Sequence, residues 1–129
     1  MSKTTITWIF FLITIQQTLV HLFEVVDITE ENYKNYKNKD NLVLYFHATW
    51  SSNSLKHKRE FYSLAQTLEQ NPTFKNQTMV FGIISNKAYK ICREYEVKNY
   101  PSIYYIKDSI KYLYNGQVSS DYISDWIER

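Results

Sequence analysis

The chain has 129 residues and a formal net charge of +2, enough for one ordinary core and one domain, with no electrostatic footprint for nucleic acid. Its composition includes one cysteine, two glycines, two prolines and three histidines, the last at positions 21, 47 and 57. That leaves no metal-ligand cluster and no phosphate-cradling loop, so neither a metal nor a resident cofactor is expected.

The first segment differs from the rest. Lys3 precedes the apolar run Ile6–Ile15, which has the length of a signal-peptide core, and Gln16-Gln17 interrupts it before it could span a bilayer. Residues 1–22 are therefore expected to be a signal peptide, cut between Thr18 and Phe23, or a retained signal anchor. Residues 23–129 are expected to form the domain. Either reading sends the domain into the secretory pathway. The chain ends Trp126-Ile127-Glu128-Arg129, without a retention signal or a second apolar span. The domain is then secreted, held by a partner, anchored by its leader, or a piece of a longer membrane protein.

Glu24–Ile28 reads as an opening strand, and Thr29, with Asn32 three residues on, as the cap of a first helix. Lys34–Lys39 is broken by Asn and Tyr and reads as a solvated face. Leu42–His47 is an apolar strand that runs into Trp50, then Ser51 and Ser54, and then a lysine-bearing helix. Asn76-Gln77-Thr78 is an acceptable glycosylation sequon in a polar loop, whereas Asn71-Pro72-Thr73 is blocked by its proline. Thr78–Ile84 is a short, nearly continuous apolar run of the kind that forms a buried strand. Asn86–Glu96 follows as a helix with Ile91, Cys92 and Tyr95 at helical spacing. Ile110–Tyr114, the turn Asn115-Gly116 and the amphipathic stretch Val118–Arg129 predict a final hairpin and helix.

Two segments carry a resemblance. The layout of strand, Trp50, Ser51, Ser54 and helix resembles the Trp-Cys-x-x-Cys site of thioredoxin-like domains, most closely those of the protein disulfide isomerase family. The run Tyr95-Glu96-Val97-Lys98-Asn99-Tyr100-Pro101-Ser102 is similar to that family's Tyr-x-Val-x-Gly-Tyr-Pro-Thr segment, whose proline is cis and faces the site. The tail looks particularly like membrane-anchored, thioredoxin-related members. The resemblance implies an α/β, thioredoxin-like fold: a central mixed β-sheet flanked by helices, strand 42–47 in its middle, and a cis proline at 101.

Ser51 and Ser54 stand where the family has its cysteines, so no catalytic residue is assigned. Thiol–disulfide exchange needs a thiolate, and a serine cannot form the S–S bond that stores the oxidising equivalent. Other departures point the same way. The family's buried acid falls at Tyr45, the histidine between its cysteines at Asn53, its helix-kinking proline at Arg59, and the glycine before Tyr-Pro at Asn99. What remains by resemblance is a groove for polypeptide lined by Trp50, Ser51, Tyr100, Pro101 and Ser102. The expected role is a redox-inactive domain of the endoplasmic reticulum that binds unfolded or partner polypeptides non-covalently. The alternatives are a unit of a larger membrane-anchored isomerase whose redox activity resides elsewhere, or a structural adaptor.

Among single residues, Cys92 is expected as a free thiol serving as a small buried apolar group. His47 is expected as a packed histidine. Ser54, His57 and Glu60 mimic a hydrolase constellation but lack an oxyanion hole. Tyr100, Tyr104, Tyr105, Tyr112 and Tyr114 cluster on the last strands and could give an adhesive aromatic surface near Trp50 and Pro101.

Overall fold

The structure, a computed structural model, describes residues 23–129; the leader expected over residues 1–22 lies outside them. Leu42–His47 is apolar at every position but the last because the strand it forms, β2, is covered on both faces. β2 is the middle of a five-stranded sheet whose order is β1-β3-β2-β4-β5, where β1 is Glu24–Asp27, β3 Val80–Ser85, β4 Ser102–Lys107 and β5 Ile110–Leu113. β1, β3 and β2 run parallel, and β4 and β5 are added antiparallel, so the sheet is mixed. Among the described residues three α-helices flank it: α1 over Ser52–Glu69, α2 over Tyr89–Glu94 and α3 over Ser120–Glu128.

Successive side chains of a strand point to opposite faces, which divides the core into two layers. Val43 and Tyr45 meet Phe61, Leu64 and Leu68 of α1 and Ile123 and Ile127 of α3 on one face. Leu42, Leu44 and Phe46 meet Ile91, Cys92 and Tyr95 of the α2 region and Tyr104 on the other. Each large apolar side chain fully buried in these layers contributes roughly 1.5–3 kcal/mol. The Tyr100–Pro101 peptide bond is cis.

Several local expectations are corrected. Thr29 and Asn32 do form a reciprocal cap, each side-chain oxygen accepting the other's backbone N–H at 2.8 and 3.3 Å. Yet only turns and a 3-10 helix over Tyr33–Asn35 follow, rather than an α-helix. The hairpin turn between β4 and β5 is Asp108-Ser109, with φ of 52° and 66°. Left-handed values at both central residues match the twist of the flanking strands. Asn115-Gly116 therefore follows β5 and leads into α3 instead of closing the hairpin, and no glycine has a positive φ among the described residues. In the loop before Pro101 the left-handed residue is Glu96, with φ 53°, while Asn99 needs no unusual angle. With Arg59 in place of a proline, α1 runs as one α-helix of 18 residues.

Candidate functional site

The site forms where β2 ends and α1 begins. The Ser51 backbone is extended, with φ −96° and ψ 111°, and its hydroxyl accepts the Ser54 backbone N–H at 3.2 Å, capping α1. Serine is a favoured cap because its oxygen satisfies an N–H that has no partner within the helix. The same hydroxyl donates to the Tyr100 carbonyl at 3.4 Å, tying the turn to the residue before Pro101. Ser54 is fully buried, and its hydroxyl accepts the Ala48 N–H at 3.2 Å, closing the loop that carries Trp50. Both serines are thus engaged in fixing the local backbone.

Tyr45 lies beneath this turn and its hydroxyl donates to the Ser54 carbonyl at 2.5 Å. Burial pushes the phenol's pKa well above its ordinary value, so it stays protonated. A protonated phenol donates to the helix but cannot act as the proton acceptor that the family's acid provides at this place.

Above the turn the arrangement opens. Trp50 is 72% exposed, and its ring meets the Tyr100 ring edge-on with centroids 5.8 Å apart. Behind Tyr100 stands Cys92. Burial and a hydrogen bond to the Cys92 sulfur push the Tyr100 phenol up to about 12. The Cys92 thiol, itself raised mainly by burial, points its proton at the Ser85 carbonyl, 3.7 Å away. Cys92 is a free, buried thiol. Sequence reasoning missed that it backs the site, because no spacing rule links residue 92 to the ring at 100.

Four of the five expected groove residues gather here: Trp50, Ser51, Tyr100 and, by its bond to Tyr100, Pro101. Ser102 separates from them. It shares its sheet face with Tyr104, its hydroxyl donates to the Asn99 carbonyl at 2.5 Å, and it borders a different hollow with Glu94, Tyr95 and Lys111. The expected tyrosine surface is also corrected. Tyr104 and Tyr105 are buried and donate to the Tyr95 carbonyl and the Asn41 side chain, Tyr112 is exposed on β5 against Tyr105, and Tyr114 packs on Trp126, so Tyr100 alone of the five meets Trp50. The hydrolase-like set disperses: Ser54 is buried, and Glu60 accepts the Ser120 N–H at 3.0 Å, securing the first turn of α3.

The family model for thioredoxin matches residues 24–129, which is nearly the whole described chain. The chain belongs to the thioredoxin family. It is 26% identical over 111 residues to the thioredoxin domain-containing protein 5 homolog of Drosophila melanogaster, a match covering 85% of this chain and 26% of that protein. The chain thus spans about a quarter of the length of this curated relative. Among solved structures, human ERp44 in a zinc-bound form superposes with a TM-score of 0.70 at 22% identity, over 81% of this chain and 30% of that one. The first thioredoxin domain of mouse protein disulfide-isomerase A4 gives 0.68 at 22% identity, over 79% and 71%. These structural likenesses establish the thioredoxin-like fold.

Proposed function

We propose that this thioredoxin-family domain is of the disulfide-isomerase type, lacks redox activity, and binds unfolded or partner polypeptides non-covalently in the secretory pathway. The observation that carries the reading is the division of labour at residues 50–54. Ser51 and Ser54 are occupied in capping α1 and closing its entry loop, while the Trp50 ring stands exposed against Tyr100 beside Pro101. An exposed Trp ring packed on a half-buried Tyr gives large contact area with few side-chain torsions to fix. Neither Ser51 nor Ser54 carries a sulfur, so a site of this layout can hold a polypeptide but cannot form a mixed disulfide with it. The compartment rests on the pattern of the leader.

The test uses the full chain and a permanently unfolded, alkylated polypeptide as probe. Wild type should bind it, Trp50→Ala should weaken binding about tenfold, corresponding to about 1.4 kcal/mol, and neither should reduce insulin above background. Turnover that survives Cys92→Ser, or binding indifferent to Trp50, would sink the proposal. A second reading is favoured by one observation, that the chain spans 26% of its curated relative. The domain would then act as a substrate-holding unit of a longer isomerase, and a longer transcript carrying a Cys-x-x-Cys domain would support that version.

A further inference from the structure

The sequon Asn76-Gln77-Thr78 is untouched by the peptide-binding reading, and the structure places it well apart from that site. Just upstream, a 3-10 turn over Pro72–Phe74 is anchored by Phe74, which is buried in the α1 layer. The Gln77 N–H returns to the Phe74 carbonyl at 3.1 Å, so the following residues are held in a turn on the surface. Asn76 and Thr78 are both exposed, and Met79, the next residue, is already core. The lookalike at Asn71 differs in every respect. Its chain is blocked by Pro72, its side-chain oxygen accepts the Thr73 N–H at 2.9 Å, and its amide nitrogen donates to Glu128.

Position within the sheet decides whether a bulky group at Asn76 is compatible with the site. The turn leads into β3 at Val80, which pairs with Leu42 at the start of β2. Trp50 follows the other end of β2. Six residues of strand separate the two poles by about 20 Å at roughly 3.3 Å per residue. A group on Asn76 therefore stands at the pole opposite Trp50 and Tyr100 and leaves their surface open. Beside Asn76 is a groove of about 570 Å³, lined among others by Tyr36, Asp40, Asn41 and Thr78. Its lining supplies an aromatic residue and polar side chains beside the first sugar.

We propose that Asn76 carries an N-linked glycan, bedded at its base in this groove. The donor is a polyprenyl diphosphate-linked oligosaccharide on the luminal side of the membrane. The Asn76 side-chain nitrogen attacks C1 of the first sugar; the N–C1 bond forms and the C1–O bond to the diphosphate breaks. The electron pair leaves with the lipid diphosphate, and the amide gives up one proton to base. No redox change is involved. Thr78 completes the recognition element, since the acceptor sequence requires a hydroxyl two residues after the asparagine.

The proposal rests on the domain being luminal, and the test separates the two claims. The full chain, with its own leader, is translated in the presence of endoplasmic reticulum microsomes, and only protease-protected chains are scored. Most of the protected chain should migrate as one heavier species that peptide N-glycosidase returns to the bare mass, leaving aspartate at position 76. Asn76→Gln and Thr78→Ala should each abolish the heavier species. Protected but unshifted wild type overturns the glycan while leaving the compartment standing. A shift that survives both substitutions overturns the assignment to Asn76. Absence of any protected chain overturns the compartment, and the glycan with it.

Discussion

Two aromatic regions of this domain are built from the same residue types and end in opposite states. In the α2 layer Tyr95 packs against Phe46 and Tyr104, with centroids 5.3 Å away in each case, and against Tyr33 at 6.5 Å. The polar ends there are all used. Tyr104 donates to the Tyr95 carbonyl at 2.8 Å, Tyr33 donates to the Glu94 carboxylate at 2.5 Å, and the Lys111 ammonium sits 4.3 Å from the centre of the Tyr95 ring. At the α1 entry, Trp50 touches Tyr100 edge-on and is otherwise turned to solvent. A phenol that finds a carbonyl or carboxylate within the fold becomes a staple between segments. A ring left outside has no such partner and remains free to meet another chain. Aromatic abundance alone does not distinguish the two.

The comparison breaks most visibly at Tyr95. Tyr95→Ala should cost about 3–5 kcal/mol, the range for emptying a large aromatic from a core, read as a drop in the urea midpoint. Trp50→Ala should change the midpoint by less than about 0.5 kcal/mol, as exposed substitutions do, while weakening the polypeptide binding proposed above about tenfold. Equal effects on stability would mean that Trp50 is a structural ring and that the open region is not open.

The turn beneath Trp50 supplies the next two tests. Ser51→Ala removes the cap of α1 and should cost about 1 kcal/mol. Ser51→Asp should restore the cap but not the bond to the Tyr100 carbonyl, which an ionised carboxylate cannot donate, and so should recover only part of it. Tyr45→Phe keeps the ring against Phe61, whose centroid is 5.2 Å away, and deletes only the hydroxyl that reaches the Ser54 carbonyl. It should cost roughly 0.5–1.5 kcal/mol, the net worth of one hydrogen bond. A neutral Ser51→Ala would show that the serine is at this position for a reason other than capping.

What the sequence disclosed follows the range of the forces involved. The middle position of Leu42–His47 was readable because a strand covered on both faces must be apolar at consecutive positions. The start of α1 was readable from the resemblance of Trp50, Ser51 and Ser54 to the family's motif, whereas the cap that Ser51 supplies there emerges only in the structure. The hairpin turn was misread because Asn115-Gly116 is the stronger local signal, while register across β4 and β5, from Tyr104 opposite Leu113 to Lys107 opposite Ile110, puts the turn at Asp108-Ser109. Ser102 belongs to the groove by resemblance to the family's Tyr-Pro-Thr segment, but its hydroxyl turns back to the Asn99 carbonyl beside a hollow with Glu94, Tyr95 and Lys111. The Cys92–Tyr100 contact and the hydroxyl partners of Tyr45 and Tyr105 join groups that are neighbours only after the layers close. Those are the features that decide which aromatic rings stay outside.

The smallest effect concerns His47, at the end of β2, in the α1 layer with Tyr45. Its Nδ1 is buried without a hydrogen-bond partner among the described residues, and burial, with the Lys58 ammonium adding to it, holds the imidazole's pKa below the ordinary histidine value; the Asp27 carboxylate opposes them. The sign follows from which state takes up the proton first. In the unfolded chain the ring titrates near about 6.5, whereas the folded ring resists protonation until lower pH. Between the two values the unfolded state binds more protons, so stability rises with pH across that window. The contribution is fully present above the unfolded value and drains away as pH falls toward the folded one. His47→Phe fills the same place without a titrating group. The wild-type urea midpoint should fall more than that of the variant between about pH 7.5 and about pH 5, a span that brackets the unfolded histidine. The difference between the two proteins cancels the carboxylates they share. Parallel slopes would mean that water or Asp27 already satisfies the ring, and that His47 belongs with the solvated residues around Trp50 rather than with the closed layer beneath it.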